Sequence, residues 1–278
     1  MLTVNLISDL RSVRKELPPP IGLVPTMGYL HKGHLSLVEK AAEQCASVIV
    51  SIFVNPTQFG PQEDYSLYPR DIPKDLELLE QLGVDLVWIP EKVEMYLPNF
   101  QTWVEVDTLS RHLEGEMRPG HFKGVTTVVT KLFTAVQPDK AYFGQKDAQQ
   151  SVVIKRLVLD LNLPVEVVIC PIIREDDGLA MSSRNVYLNP DERQAAAVLF
   201  KALKAAESAY LHGEKEADRL REVMIGTIQN EPLASIQYVS CAHPDTLEEQ
   251  VGLVQQALLS MAVNFGETRL IDNLMIGN

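Results

Sequence analysis

His31 and His34, three positions apart in VPTMGYLHKGH, are the residues whose types and spacing most directly suggest chemistry. They follow a short apolar run at residues 21–24 and precede a stretch with helical spacing, so they fall where a strand turns into a helix. A helix N-terminus carries unpaired N–H groups and partial positive charge. Two imidazoles placed there can hold phosphate oxygens and stabilise charge that grows on them during a displacement. Gly28 and Gly33 would let the main chain approach such a ligand closely. Two other readings remain open on spacing alone: the histidines cap or decorate a solvated turn, or they form a metal pair, although no third ligand stands nearby.

Three further polar runs have the same placement, after apolar segments, and a fourth precedes a long helix. SIFVNPTQFG puts Asn55, Thr57 and Gln58 beyond a strand, where the Gln58 amide can bind a hydroxyl or carboxylate or simply face water. AYFGQKDAQQ gathers Gly144, Lys146, Asp147, Gln149 and Gln150; Lys146 suits a phosphate and Asp147 a ribose hydroxyl, with a surface ion pair as the alternative. DDGLAMSSRN supplies Ser182, Ser183 and Arg184, able to wrap phosphate oxygens or to cap a helix at a domain junction. EGEMRPGHFKGV carries Arg118, His121 and Lys123 in a Gly/Pro-rich loop, read either as a lid or as a turn with scattered charge. Solvated-surface readings do not predict that the histidine turn and the first three of these runs all fall at strand ends. A nucleotide site is the better joint reading.

The elements that must position these residues are legible as alternating strands and helices. HLSLVEKAAEQCA has a helical apolar face through Leu35, Leu37 and Val38, and SVIVSIFV reads as a buried strand, so residues 21–54 form a βαβ unit. DLELLEQLG closes a helix at Gly83 and VDLVWIP follows as a strand. Val125, Val128, Val129, Leu132, Phe133 and Val136 keep the spacing of one helix face. AYFG, a helix through SVVIKRLVLDL and the strand VEVVICPII continue the alternation. Its economical solution is a parallel sheet with helices on both faces, which binds ligands at the carboxyl ends of its strands.

After NPDERQ the texture becomes Ala-, Lys- and Glu-rich helix, then IQYVSC and ALLSMAVNFG as strands with a turn at Glu267, Thr268 and Arg269. The expected fold is therefore an α/β, doubly wound parallel sheet over residues 1–180 and a smaller α+β domain over residues 181–278. At the N-terminus, Ser8 is expected to cap a short helix stopped by Pro18, Pro19 and Pro20, with the folded chain proper starting after them.

With 46% hydrophobic and 22% charged residues the chain can bury a core, which excludes a disordered or fibrous protein. The net charge of −12 argues against nucleic acid as a partner and favours a small anion captured locally. Cys45, Cys170 and Cys241 form no CxxC pair, so neither a disulfide framework nor a zinc knuckle is expected and a reducing cytoplasm fits. No export signal and no membrane-spanning run is read.

PTMGYLHKGH, VNPTQFG, RPGHFKGV, FGQKD and GLAMSSRN, in this order and continuing to RLIDN, resemble the pantothenate synthetases, or pantoate–β-alanine ligases. HxGH alone marks the wider nucleotidyltransferase superfamily, which includes class I aminoacyl-tRNA synthetases; PTQF with RPGHF and AMSSRN is specific to this family. The resemblance implies a Rossmann-like N-terminal domain that binds ATP and pantoate, a smaller C-terminal domain that closes on it, and a homodimer. It implies ATP- and Mg2+-dependent condensation of pantoate with β-alanine to pantothenate through a pantoyl-adenylate, with release of pyrophosphate and AMP.

By that resemblance Met27, Gly28, Tyr29, Leu30, His31, Lys32, Gly33 and His34 contact ATP, as do Gly144, Gln145, Lys146, Asp147, Ile173, Met181, Ser182, Ser183 and Arg184. His34 takes the proton-donor role, with His31 as its phosphate-binding companion. Gln58 contacts pantoate and β-alanine, and Gln150 contacts pantoate. Catalysis is expected to rest on His31, His34, Lys146, Ser182, Ser183 and Arg184, with no protein-held metal. Ile173 stands where the family has Val, and Tyr29 and Lys32 occupy permissive positions. Arg118, His121 and Lys123 receive no role. Rival functions are a nucleotidyltransferase that keeps the adenylate as product, a nucleotide sensor without turnover, and a tRNA-charging enzyme, for which no basic extension is present.

Overall fold

A computed structural model describes residues 1–61 and 63–277. The chain separates into two compact units, Met1–Gly144 with Gln150–Pro171, and Gln145–Gln149 with Ile172–Asn278. The second unit thus begins ahead of the boundary expected at residue 181, and a short polar segment from the middle of the chain belongs to it.

The first unit runs β1 (Leu2–Val4), α1 (Ile7–Glu16), β2 (Ile21–Thr26), α2 (Lys32–Gln44), β3 (Ser47–Ile52), α3 (Ile72–Gln81) and β4 (Leu86–Trp88). Two short helices, α4 (Lys92–Met95) and α5 (Glu114–Met117), precede α6 (His121–Val136), β5 (Lys140–Gly144), α7 (Ala148–Asp160) and β6 (Glu166–Cys170). The six strands are all parallel, in the order β1-β4-β3-β2-β5-β6. Strand order reverses between β2 and β5, the switch point beside which doubly wound sheets bind ligands.

Both faces of this sheet are covered because its strands alternate apolar residues to both sides, as a parallel sheet requires. Ile21 and Leu23 of β2, Ile49 of β3 and Ala141 and Phe143 of β5 pack with Phe122, Val125, Val129, Leu132, Phe133 and Val136 of α6. Val24, Val48, Val50 and Tyr142 face the other way, onto Leu37, Val38 and Ala41 of α2 and Leu79 of α3.

Two N-terminal expectations need correction. Residues before the prolines form β1, paired with Leu86, Val87 and Trp88 of β4, so the fold starts earlier than expected. Helix α1 begins at Ile7 without a side-chain cap of its own; the Glu94 carboxylate accepts from Ile7 N at 2.7 Å instead of Ser8 serving as cap.

The second unit contains α8 (Pro190–Ala195), α9 (Val198–Leu211), α10 (Ala217–Gln229) and an antiparallel sheet β7-β8-β9 of Ala234–Ala242, Ala257–Phe265 and Thr268–Ile276. Thr268 pairs with Phe265, so the hairpin turn is Gly266 and Glu267 and Thr268 already belongs to β9. Leu199, Leu203, Leu220, Met224 and Ile228 of the helices pack on Leu259, Met261, Val263 and Phe265 of β8. Among the described residues no helix is long and apolar enough to cross a membrane.

Candidate active site

In the first unit, β2 ends at Thr26 and α2 begins at Lys32, slightly earlier than its apolar periodicity suggests, so residues 27–31 must reverse the chain in very few steps. They do so through left-handed backbone at Gly28 (φ 82°) and Tyr29 (φ 52°). A side chain at Gly28 would start 3.0 Å from both Asp75 Oδ2 and Ile52 Cγ2, so the position needs glycine for space as well as for φ. The turn leaves main-chain donors without sheet or helix partners, and Asp75 of α3 takes two of them. Tyr29 N donates to its Oδ2 at 2.8 Å and Leu30 N to its Oδ1 at 2.7 Å. Asp75 is 1% exposed, and burial pushes its carboxyl above the usual carboxylate range although both N–H groups act to lower it. Thr26 Oγ1 accepts from Gly28 N at 3.2 Å and donates to Ser51 O at 2.9 Å, tying the turn to β3.

His31 is the N-cap of α2, and the two histidines cap it reciprocally. Gly33 N donates to His31 Nδ1 at 3.1 Å, and His31 N donates to His34 Nδ1 at 3.4 Å. A backbone N–H can only donate, so both Nδ1 atoms are unprotonated and the neutral rings carry their proton on Nε2. The ring centroids lie 4.0 Å apart. Capping and ligand donation are thus compatible here, since they use opposite nitrogens of the same ring. Lys32 is exposed.

β3 runs into a tight turn, Pro56–Gln58, organised by Asn55, which is 1% exposed. Asn55 Oδ1 accepts from Thr57 Oγ1 at 2.9 Å and from the Tyr96 hydroxyl at 2.8 Å, while Asn55 Nδ2 donates to Gln58 Oε1 at 3.1 Å and to Gly124 O at 3.2 Å. Helix α6 crosses this turn at Gly124, where a Cβ would sit 2.4 Å from Thr57 O and 2.7 Å from Gln58 N. Gln58 Nε2 lies 3.2 Å from Met27 Sδ, so the structure brings together the ends of β2 and β3 through two of the residues singled out above.

RPGHF is neither a free lid nor a turn of scattered charge. Arg118 forms a two-pronged pair with Glu63 at 3.0 and 2.6 Å, and it donates from Nη1 to His121 Nε2 at 3.2 Å. His121 Nδ1 lies 2.7 Å from Gln58 O. Burial, then the positive charge of Arg118, push the His121 pKa down to about 4. Burial acts to raise Glu63, but hydrogen bonding and charge from Arg118 outweigh it and hold that carboxyl below its usual range. Lys123 pairs with Glu105 at 3.5 Å and lies over the Trp103 ring. Gln150 is half-buried in the first turn of α7.

In the second unit Gln145–Asp147 is a single tight turn whose carbonyls are held by one residue of β9. Asn273, 2% exposed, donates from Nδ2 to Gln145 O at 3.0 Å and to Lys146 O at 2.8 Å, and accepts from Gln145 Nε2 at 3.2 Å. This explains why residues 145–149 group with a domain made largely of later sequence. Lys146 Nζ is 3.8 Å from Asp147 Oδ1, a loose contact that leaves the ammonium available to an anion. Ile173 and Met181 are joined by Met181 N donating to Ile173 O at 3.0 Å, across a hairpin in which Arg174 bridges to Ala180. Arg174 anchors that hairpin on buried Asp272 at 2.7 and 3.0 Å. Ser182 caps the turn Ser183–Tyr187 by accepting from Arg184 N at 3.3 Å, and Ser183 is buried.

Asp75 and Glu63 escape a sequence reading altogether, Asn273 enters it only as the end of RLIDN with no role, and Asn55 shows its role only once Tyr96 and Gly124 are placed. Each acts on groups far away in sequence, where no local spacing reports it.

A family model described as pantoate-beta-alanine ligase matches residues 3–275. The chain is similar to a pantothenate synthetase of Roseiflexus sp. (strain RS-1), 57% identical over 99% of both chains. Among solved structures it is similar to pantothenate synthetase from Thermus thermophilus, with TM-score 0.94 and 47% identity over 99% of both chains. It is also similar to pantoate-beta-alanine ligase from Francisella tularensis complexed with beta-gamma ATP and beta-alanine, with TM-score 0.82 and 34% identity over 99% of this chain and 97% of that one.

Proposed function

The chain belongs to the pantoate–β-alanine ligase family and is a ligase of that kind, and from this premise we propose that it condenses pantoate with β-alanine, consuming ATP, in two displacements. In the first, a pantoate carboxylate oxygen attacks the α-phosphorus of ATP, the bond to the β-phosphate oxygen breaks, and pyrophosphate leaves. In the second, the β-alanine amine attacks the carbonyl of the pantoyl-adenylate, the C–O bond to AMP breaks, and AMP leaves as the nitrogen loses its proton. No enzyme nucleophile is required, so the protein contributes positioning and charge stabilisation.

The observation that carries this reading is the reciprocal cap of His31 and His34. It fixes both rings with an Nε2–H donor at the N-terminus of α2, where the helix dipole favours phosphate. We assign residues 27–34, Gly144, Gln145, Lys146, Asp147, Ile173, Met181, Ser182, Ser183 and Arg184 to ATP, with His34 as the proton donor. Gln58 contacts pantoate and β-alanine, and Gln150 contacts pantoate. The amide of Gln58 supports its role: its oxygen is occupied by Asn55, whereas its N–H group, among the described residues, donates to a thioether, a weak acceptor.

Magnesium fits as an ion carried on the triphosphate. Among the described residues no cluster of three His, Cys, Asp or Glu side chains forms a cage, and Mg2+ at nucleotide sites keeps several waters with few protein ligands. Bound there it would neutralise phosphate charge, while Asp147, beside Lys146, would accept from a ribose hydroxyl. Closure by residues 181–278, a homodimer and a cytoplasmic location complete the proposal; three free cysteines support the last.

Pyrophosphate exchange into ATP with Mg2+ and pantoate, without amine, isolates the first displacement. Exchange that depends on pantoate is the expected result. Its absence from folded, ATP-binding protein would refute carboxylate activation and point to another acceptor or to binding without turnover.

A further inference from the structure

Gln58 is held at both ends, and the two holds come from different parts of the first unit. Asn55 takes its side-chain oxygen at 3.1 Å. Its main-chain oxygen accepts from His121 Nδ1 at 2.7 Å, with Arg118 Nη2 more distant at 3.4 Å. A carbonyl can only accept and a guanidinium can only donate, so the two neighbours of His121 leave one assignment: the proton is on Nδ1, and Nε2 is the unprotonated acceptor for Arg118 at 3.2 Å. A flipped ring would turn carbon towards the carbonyl and lose both bonds. Arg118 cannot swing away to relax this, because Glu63 grips it at 3.0 and 2.6 Å, and Glu114 lies 3.9 Å from Nη1 on the other side.

We propose that His121 is a positioning residue for the condensation: with Arg118 and Glu63 behind it, its Nδ1–H fixes the Gln58 main chain so that the Gln58 amide presents an N–H donor, not its oxygen, to the carboxylate or hydroxyl of the substrate. The inference rests on the substrate role assigned to Gln58. It explains why a histidine starts α6 close to Gly124, the residue whose missing side chain lets that helix close on the same turn. Asn55 alone would orient the amide but leave the turn free to pivot about its side chain.

The test is steady-state kinetics on His121→Ala, His121→Asn, His121→Gln, Gln58→Ala and the double variant Gln58→Ala/His121→Ala, each checked for folding by thermal midpoint. Asn can place an amide N–H where Nδ1 stood, whereas Gln places it nearer Nε2. His121→Ala and His121→Gln are expected to raise KM for pantoate roughly tenfold, as for a lost oriented hydrogen bond. KM for ATP should stay within about twofold. His121→Asn should recover most of the loss, and His121→Ala should cost nothing further in the Gln58→Ala background. Should His121→Ala fail to fold, the comparison of His121→Gln with His121→Asn carries the same contrast. Equal effects of His121→Ala in both backgrounds, or equal rises in both KM values, would overturn the clamp while leaving Gln58 as a substrate residue. Unaltered KM for pantoate and β-alanine in Gln58→Ala would overturn that substrate role and the clamp with it.

Discussion

Replacing Asp75 by Asn isolates what holds the turn between β2 and α2. The change keeps the shape of the side chain, so packing around a residue only 1% exposed is unaltered. It replaces one of two acceptors by a donor, setting an NH2 group against either Tyr29 N or Leu30 N, which now donate at 2.8 and 2.7 Å. A hydrogen bond to a charged acceptor contributes about 1.5–3 kcal/mol, and a buried donor left without a partner costs about 1–3 kcal/mol. Against this, Asn avoids the desolvation that pushes the Asp75 carboxyl upward, so the lower part of the range applies and a net loss of about 2 kcal/mol is expected. Urea unfolding at neutral pH should show a lowered midpoint with the slope unchanged. Because the released N–H belongs to the turn that aims His31, the pantoate-dependent exchange rate should fall along with stability. An Asp75→Asn protein with stability within about 0.5 kcal/mol of the parent, or with lowered stability and full exchange rate, would refute the view that this carboxylate sets the geometry of the histidine turn.

Further outcomes follow from the same geometry. Gly124→Ala forces a methyl to 2.4 Å from Thr57 O, and since backbone must move to relieve it, a stability loss of about 2 kcal/mol or more and a raised KM for pantoate should appear together; calorimetry and kinetics check both. His34→Ala removes a capping contact at 3.4 Å and the ring contact with His31; it should still fold and yet lose most of its adenylation rate, and a single-turnover rate near that of the parent would remove the proton-donor role. Asn273→Ala leaves two carbonyls and the Gln145 amide without this partner, for a cost of about 1–3 kcal/mol and a raised KM for ATP in the same kinetic assay. For pH, His121 binds its proton less tightly folded, with a pKa of about 4 against the ordinary 6.5. The unfolded chain therefore takes up that proton first, and stability is lost as pH falls from 6.5 towards 4, by about 2 kcal/mol near pH 5. His121→Asn should flatten that part of a urea-unfolding pH series.

The sheet and its helices are legible in the sequence because buried parallel strands and one-faced helices impose simple periods on apolar residues; Val125 to Val136 in α6 is the clearest case. The first strand is not, since Leu2–Val4 is a three-residue, largely exposed edge with no period to read. Ser8 looks like a cap because capping pattern is local, whereas the partner that takes the role, Glu94, lies 87 residues from the Ile7 N–H it accepts. The same distinction divides the site. His31, Gln58, Lys146 and Ser182 sit in turns whose composition announces them. Asp75 and Glu63 support those turns from positions where an acid looks like ordinary surface until the fold places it, and Asn273, though part of RLIDN, shows no local sign of the turn it holds.

The hold of Asn273 on Lys146 O spans 127 residues. On a ribosome, the Gln145–Asp147 turn would emerge long before the amide that shapes it, and closing so long a loop is slow and entropically costly for a growing chain. The first unit can form its parallel sheet and its histidine turn from earlier sequence while the lysine turn is still slack. That turn is thus a late-maturing element: its composition is fixed when residues 145–147 are made, but its shape waits for β9.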